Sequence, residues 1–185
     1  MSERTVTDWD RYALVVRVAG ILAEGHAFGR KALQKVFYLL QELAGIPLGY
    51  RYRFYTYGVY SFELASTLAT VENLKGVVAN YDPAFGAYEL GRGEKAEALE
   101  AKGHAFLAEF GEQIDRIVAL ARGKTGKILE LISTIVFVAL NEDLGGVADE
   151  QRLLERVAEL KPKFSTTQIL DQVQELRLRG CLPSE

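Results

Sequence analysis

"GYRYRFYTYGVYSFEL", residues 49–64, holds five of the chain's nine tyrosines and two arginines. Aromatic residues favour the pleated, half-buried surface of a strand. Side chains of a strand alternate between its faces, so Tyr50, Tyr52 and Phe54 share one face and Arg51, Arg53, Tyr55 and Tyr57 the other. The first face suits core packing. The second mixes guanidinium groups with phenols, too polar for a core and richer in aromatics than an idle surface. Gly58 ends the strand, and Ser61 caps a helix over 61–75 with Phe62, Leu64, Ala65, Leu68, Val71 and Leu74 on its inner side.

Upstream, the spacing of Leu14, Val15, Val18, Ile21 and Leu22 predicts a helix over 8–24, capped by Asp8 or Asp10 and ended by Gly25. A second helix over 30–43 carries Leu33, Val36, Phe37 and Leu40 as one apolar stripe, and Gly45 and Pro47 close it. Downstream, "VVANYD" (77–82) and "GAYEL" (86–90) read as a hairpin turning through "PAFG". Helix, helix, strand, helix, hairpin is the order of a winged helix-turn-helix unit.

The remainder reads as helical. A charged helix is expected over 93–121, an apolar one over 126–140 and a third over 148–160, before Pro162. The last helix opens at Ser165 with Gln168 completing a capping box and Phe164 stapling onto Ile169, and it ends at Gly180. The expected fold class is mainly α (α+β). A winged-helix-like domain with a short strand and a hairpin occupies 1–92, and a helical region over 93–185 packs on it.

Composition narrows the function. With 185 residues, 49% hydrophobic and 25% charged, the chain has the profile of a globular protein rather than a disordered one. Its net charge of −3 gives no general attraction to polyanions, so nucleic-acid binding would need a local basic patch. The single cysteine, Cys181, excludes a disulfide framework and fits a reducing compartment. The apolar stretch 128–140 is interrupted by Glu130 and falls short of the roughly 20 residues of a membrane span. A cytoplasmic protein without a membrane partner is expected.

Catalytic signatures do not assemble. "GKTGK" (123–127) lacks the glycine and the Ser or Thr that a phosphate-binding loop needs around its Gly-Lys pair. Ser61 lacks the glycine two residues on that a nucleophile elbow requires. His26 and His104 have no cysteine cluster near them in sequence, so no metal site is expected. The acidic pairs Glu142-Asp143 and Asp149-Glu150 flank helix ends. A non-enzymatic protein without cofactors follows.

The basic residues carry more. From His26 to Tyr57 the chain has Arg30, Lys31, Lys35, Arg51 and Arg53 against Glu42 alone, a local net charge of +4 beside aromatics. Yet the helix over 61–75, which would read DNA, carries Glu63, Glu72 and Lys75 and no arginine for a guanine edge. The cations could instead meet the acidic residues Glu142, Asp143, Asp149 and Glu150 across an interface.

Three segments together, "GRKALQKVFYLLQ" (29–41), "FYTYGVYSFEL" (54–64) and "ELKPKFSTTQILDQVQELRLRG" (159–180), resemble the YwgA-like family of uncharacterised bacterial and archaeal proteins. The helix and the Tyr-Gly turn also resemble, more distantly, the Panacea (SocA-like) antitoxin domain. Val59 stands where the YwgA-like turn usually has proline, which loses a pre-set φ. The resemblance implies a winged-helix-like front half and, by analogy, a partner-binding or antitoxin-type role.

The reading is therefore a regulatory protein-binding module, adaptor or antitoxin-like, acting through Arg30, Lys31, Arg51, Arg53, Tyr55 and Tyr57. Its partner is a protein, with self-association as one form. The alternative is a winged-helix DNA-binding transcription regulator using the same cations on phosphates. Exposure of the 61–75 helix beside the basic residues favours the alternative; burial under the rear helices removes it.

Overall fold

A computed structural model describes residues 5–23, 28–83, 86–142 and 150–182. The first helix, α1 (Asp8–Leu22), begins at a capping box: Thr7 Oγ1 accepts from the Asp10 backbone N–H, and the Asp10 carboxylate accepts from the Thr7 backbone N–H. Thr7 is therefore the cap, and Asp10 is its reciprocal partner at the third helical position. The end expected at Gly25, and His26 after it, lie outside the described residues.

α2 (Arg30–Glu42) departs most from its expected form. In place of one apolar stripe, residues 32–40 are all buried, including Gln34 and Lys35. The helix is central: α6 and α7 pack on it from the rear half, and the two hairpins from the front.

The strand expected over 50–57 is a hairpin. β1 (Arg53–Tyr55) turns at Thr56-Tyr57 and pairs antiparallel with β2 (Gly58–Tyr60), in the register Arg53↔Tyr60, Phe54↔Val59, Tyr55↔Gly58. Gly58 has φ +82°, and this left-handed residue closes the turn instead of merely ending a strand. The predicted alternation survives: Tyr50, Tyr52 and Phe54 face inward, while Arg51, Arg53, Tyr55 and Tyr57 are exposed.

α3 (Phe62–Asn73) follows, with Ser61 Oγ accepting from the Leu64 N–H. β3 (Val77–Asp82) then pairs with β4 (Ala87–Arg92). Among the described residues the two hairpins form separate two-stranded sheets.

The single helix expected over 93–121 is three: α4 (Ala96–Lys102), α5 (His104–Glu109) and α6 (Gly111–Ala121). The first break is steric. A Cβ on Gly103 would lie 2.4 Å from Ala13 Cβ, so the chain passes α1 only where it has no side chain. The second break falls at Phe110, which leaves helical geometry at φ −102°, ψ 15°. The bends turn Leu99, Phe106, Ile114 and Ile117 inward.

α7 (Gly126–Asn141), capped by Thr125, is buried on most sides, as its composition predicts. α8 (Glu150–Leu160) and α9 (Thr166–Leu178) pack on it and on each other, and α9 starts at the expected Ser165–Gln168 capping box. The fold is mainly α with two small antiparallel hairpins, and one apolar core runs from α1 to α9.

Candidate binding site

Segment 50–61 is held by three polar side chains of α2. Gln41 brackets the entry: its Nε2 donates to Tyr50 O at 3.0 Å and its Oε1 accepts from Tyr50 N–H at 2.9 Å. Gln34 brackets the exit in the same way, with Nε2 donating to Ser61 O at 3.0 Å and Oε1 accepting from Ser61 N–H at 2.9 Å. Between them Lys35 Nζ donates to Val59 O at 2.6 Å. Backbone groups too far from a sheet partner must be satisfied by side chains, and here two amides and an ammonium meet that need. This is what the pattern "LQKVFYLLQ" accomplishes.

The inward aromatic face joins the core. Tyr50 packs edge-on to Phe37, Tyr52 to Tyr38 at 5.1 Å between ring centres, and Phe54 lies 4.8 Å from Phe137 of α7. Burial pushes the Tyr50 hydroxyl up to about 12 and the Tyr52 hydroxyl well above its ordinary value.

The turn is tied from the rear half. Lys161, just past α8, donates from Nζ to Thr56 O at 2.7 Å and lies 2.7 Å from Glu130 Oε1 of α7. Lys163 reaches Glu130 Oε2 at 2.9 Å. Burial alone would raise the Glu130 carboxyl, but the two ammonium groups outweigh it and hold the carboxyl below its ordinary range. Neither Glu130 nor the two lysines figured among the sequence-predicted site residues. The signal was a lone carboxylate in an otherwise apolar helix, together with "KPK" at 161–163.

The outward face is a cluster of rings. Tyr55, Tyr60 and Phe62 are mutually edge-on, with centres 6.4 Å (Tyr55–Tyr60), 6.3 Å (Tyr55–Phe62) and 5.1 Å (Tyr60–Phe62) apart. Tyr57 stands beside them, 62% exposed, with Lys31 Nζ 4.3 Å above its ring. Phe62, expected on the inner side of α3, is instead 66% exposed. Leu64, Leu68 and Val71 are the buried positions, and a residue two before Leu64 lies about 200° away around a helix. Three depressions share Tyr60 as a wall, with volumes of about 350, 310 and 190 Å³.

The cations are distributed differently from the expected open patch. Lys35 is 4% exposed and belongs to the interior. Arg30 pairs with Glu72 at 2.7 Å and Arg51 with Glu63 at 2.7 Å, so α3's own acids neutralise both arginines. The pairing with 142–150 is not formed by the residues described there: Glu142 binds Arg156 and Glu150 binds Arg177, while Asp143 and Asp149 lie outside the described residues. Physically, the packing of α3 brings its own carboxylates, Glu72 and Glu63, within 2.7 Å of the two arginines. Lys31 and Arg53 remain without an ion pair among the described residues. The predicted Arg30, Lys31, Arg51, Arg53, Tyr55 and Tyr57 thus lie on one side of the molecule, around Tyr60 and Phe62.

α3 packs on α1 and β3, and its outward positions Phe62, Ser66, Ala69 and Asn73 are exposed. No group of histidine, cysteine and carboxylate side chains suited to a metal occurs among the described residues, and none of their helices is long and apolar enough to cross a membrane. No family model matches the chain, and no curated protein matches it in sequence.

Proposed function

We propose that this chain is a non-enzymatic regulatory module, adaptor or antitoxin-like, that binds a protein partner through the face made by the β1–β2 hairpin and the start of α3. One observation carries the reading: Tyr55, Tyr57, Tyr60 and Phe62 form a clustered aromatic surface flanked by Lys31 and Arg53, two cations with no ion pair among the described residues. Tyrosine supplies large contact area at low entropic cost, and tyrosine and arginine are enriched among the residues that dominate interface energetics. The open charges are positive, which selects acidic segments with apolar or aromatic anchors.

Selection from a displayed random-peptide library tests this. Enrichment of acidic, aromatic-bearing peptides that bind the wild type and fail on Phe62→Ala and Arg53→Glu supports it. Failure to enrich any peptide, or binding indifferent to both variants, overturns it.

DNA binding is a second reading favoured by one specific observation, the exposed outer side of α3 beside Arg30 and Arg51. Against it, those arginines are already paired with Glu72 and Glu63 on the same helix. Salt-titrated anisotropy with duplex DNA, on wild type and on Arg51→Glu/Arg53→Glu, tests it: binding with a steep salt slope, lost in the variant, favours DNA.

A further inference from the structure

The depression of about 310 Å³ has an unusual floor. Its walls are the rings of Tyr55, Tyr57, Tyr60 and Phe62, and Lys31 stands at its rim. Lys35 and Gly58 line its base. Lys35 is 4% exposed, and Val59 O is its one hydrogen-bond acceptor among the described residues, although an ammonium carries three donors. No carboxylate lies within ion-pair distance of it among the described residues. Glu130, the nearest acid to influence it, is held by Lys161 and Lys163.

The charge around the floor is unbalanced. The buried Lys35 and Lys161 share the single carboxylate of Glu130, which Lys163 also reaches from the surface, leaving one buried positive charge uncompensated, and Lys31 adds another at the rim. Buried charge is ordinarily paired, and a buried donor left open is destabilising. An apolar cavity with one convergent charged group is the usual form of a small-ligand site, and volumes of roughly 300 Å³ or more suit it.

We propose that this cavity binds a small aromatic carboxylic acid, its carboxylate on Lys35 Nζ and its ring against the open faces of Tyr55, Tyr60 and Phe62. A planar ring matches walls that already meet at 76° to 89°, the arrangement aromatic pairs prefer. The anion supplies the missing acceptor, and Lys31 closes over the mouth. This site goes beyond the partner reading and does not depend on it, since a free acid needs no macromolecule.

The protonation of Lys35 gives the site a pH signature. Burial lowers its ammonium to about 8, with Glu130 opposing that shift and Lys161 and Lys31 adding to it. The phenols of Tyr55, Tyr57 and Tyr60 are the other titratable groups of the lining. The bound anion holds the lysine charged, so affinity is retained below pH 8 and falls above it, as the free protein's ammonium loses its proton.

The test is ligand-observed NMR on the isolated full chain with benzoate, phenylacetate and indole-3-acetate, beside their neutral amides. The expected result is that the acids bind and the amides bind about tenfold or more weakly, the difference a charge-assisted hydrogen bond makes. Phe62→Ala removes an exposed wall without touching the core and lowers the affinity for the acids. Affinity also declines between pH 7 and pH 9. Lys35→Met abolishes the preference for acids, and if that variant does not fold, the pH series on the wild type stands in its place. Equal binding of acids and amides, or no acid bound up to about 10 mM by folded protein, overturns the proposal. Because no peptide or partner is present, these outcomes are separate from success or failure of the peptide selection.

Discussion

Replacing Glu130 with glutamine keeps the shape of the side chain and deletes the one negative charge paired with Lys161 and Lys163 among the described residues. The side chain of Glu130 is 10% exposed and that of Lys161 3% exposed, so this is a buried pair. Glutamine leaves Lys161 with the Thr56 carbonyl at 2.7 Å and the Phe54 ring at 5.2 Å, neither of which balances a full charge. Lys163, 45% exposed, can turn to water and adds little. Breaking a buried pair on one side costs about 3–5 kcal/mol, because the surviving charge remains desolvated. That is a large part of the 5–15 kcal/mol typical of a whole domain.

The assay is urea unfolding of both proteins, comparing midpoints at unchanged slope. Acid supplies an internal control. The Glu130 carboxyl is held below its ordinary range in the folded protein. Its contribution is therefore fully present above the unfolded pKa of roughly 4.3 and lost as pH falls through the lower folded value. The gap between wild type and Glu130→Gln should then close toward low pH. A loss under about 1 kcal/mol at pH 7, or a gap that stays constant into acid, would refute the reasoning.

Other consequences follow from the same contacts. Gln34→Leu leaves the buried Ser61 N–H unpaired, while Ser61 O keeps the Ala65 N–H, and should cost about 1–3 kcal/mol in urea unfolding. Gly58→Ala forces a side chain onto φ +82° and should lower stability by about 1–2 kcal/mol, read as a drop in Tm of several degrees. The Lys35 ammonium, about 8 folded against roughly 10.4 unfolded, makes stability rise with pH between those values, because the unfolded chain binds the extra proton. Unfolding at pH 7, 8.5 and 9.5 should show that rise in the wild type and not in Lys35→Met. Above about pH 10 the raised hydroxyls of Tyr38, Tyr50 and Tyr52 act in the opposite direction. Ser165→Ala removes a capping box and should cost about 1 kcal/mol, again by urea midpoint.

Much of this molecule is written locally. The alternation of Tyr50, Tyr52 and Phe54 against Arg51, Arg53, Tyr55 and Tyr57 is a property of extended backbone, and it holds even though the strand folds back on itself. The capping box at Ser165, the cap at Ser61 and the apolar character of α7 depend on residues within one or two turns. Phe62 is the local misreading: expected on the inner side of α3, it lies outside, where counting round the helix from Leu64 places it.

What the tertiary structure decided involves residues far apart in the chain. Lys35 reads as one cation of a basic run until α7 and the hairpin close over it and its ammonium meets Val59 O. The break at Gly103 exists because α1 crosses there, with Ala13 occupying the space a side chain would need. Lys161 reaches the hairpin turn across 105 residues, and the charge that balances it comes from Glu130. Whether Arg30 and Arg51 are open cations or paired ones depends on where α3 lies, not on their neighbours in sequence. Period and capping are set by backbone geometry over a few residues, so the sequence determines them alone. Charge pairing, desolvation and close approach are set by distance in space, and only the folded chain decides those.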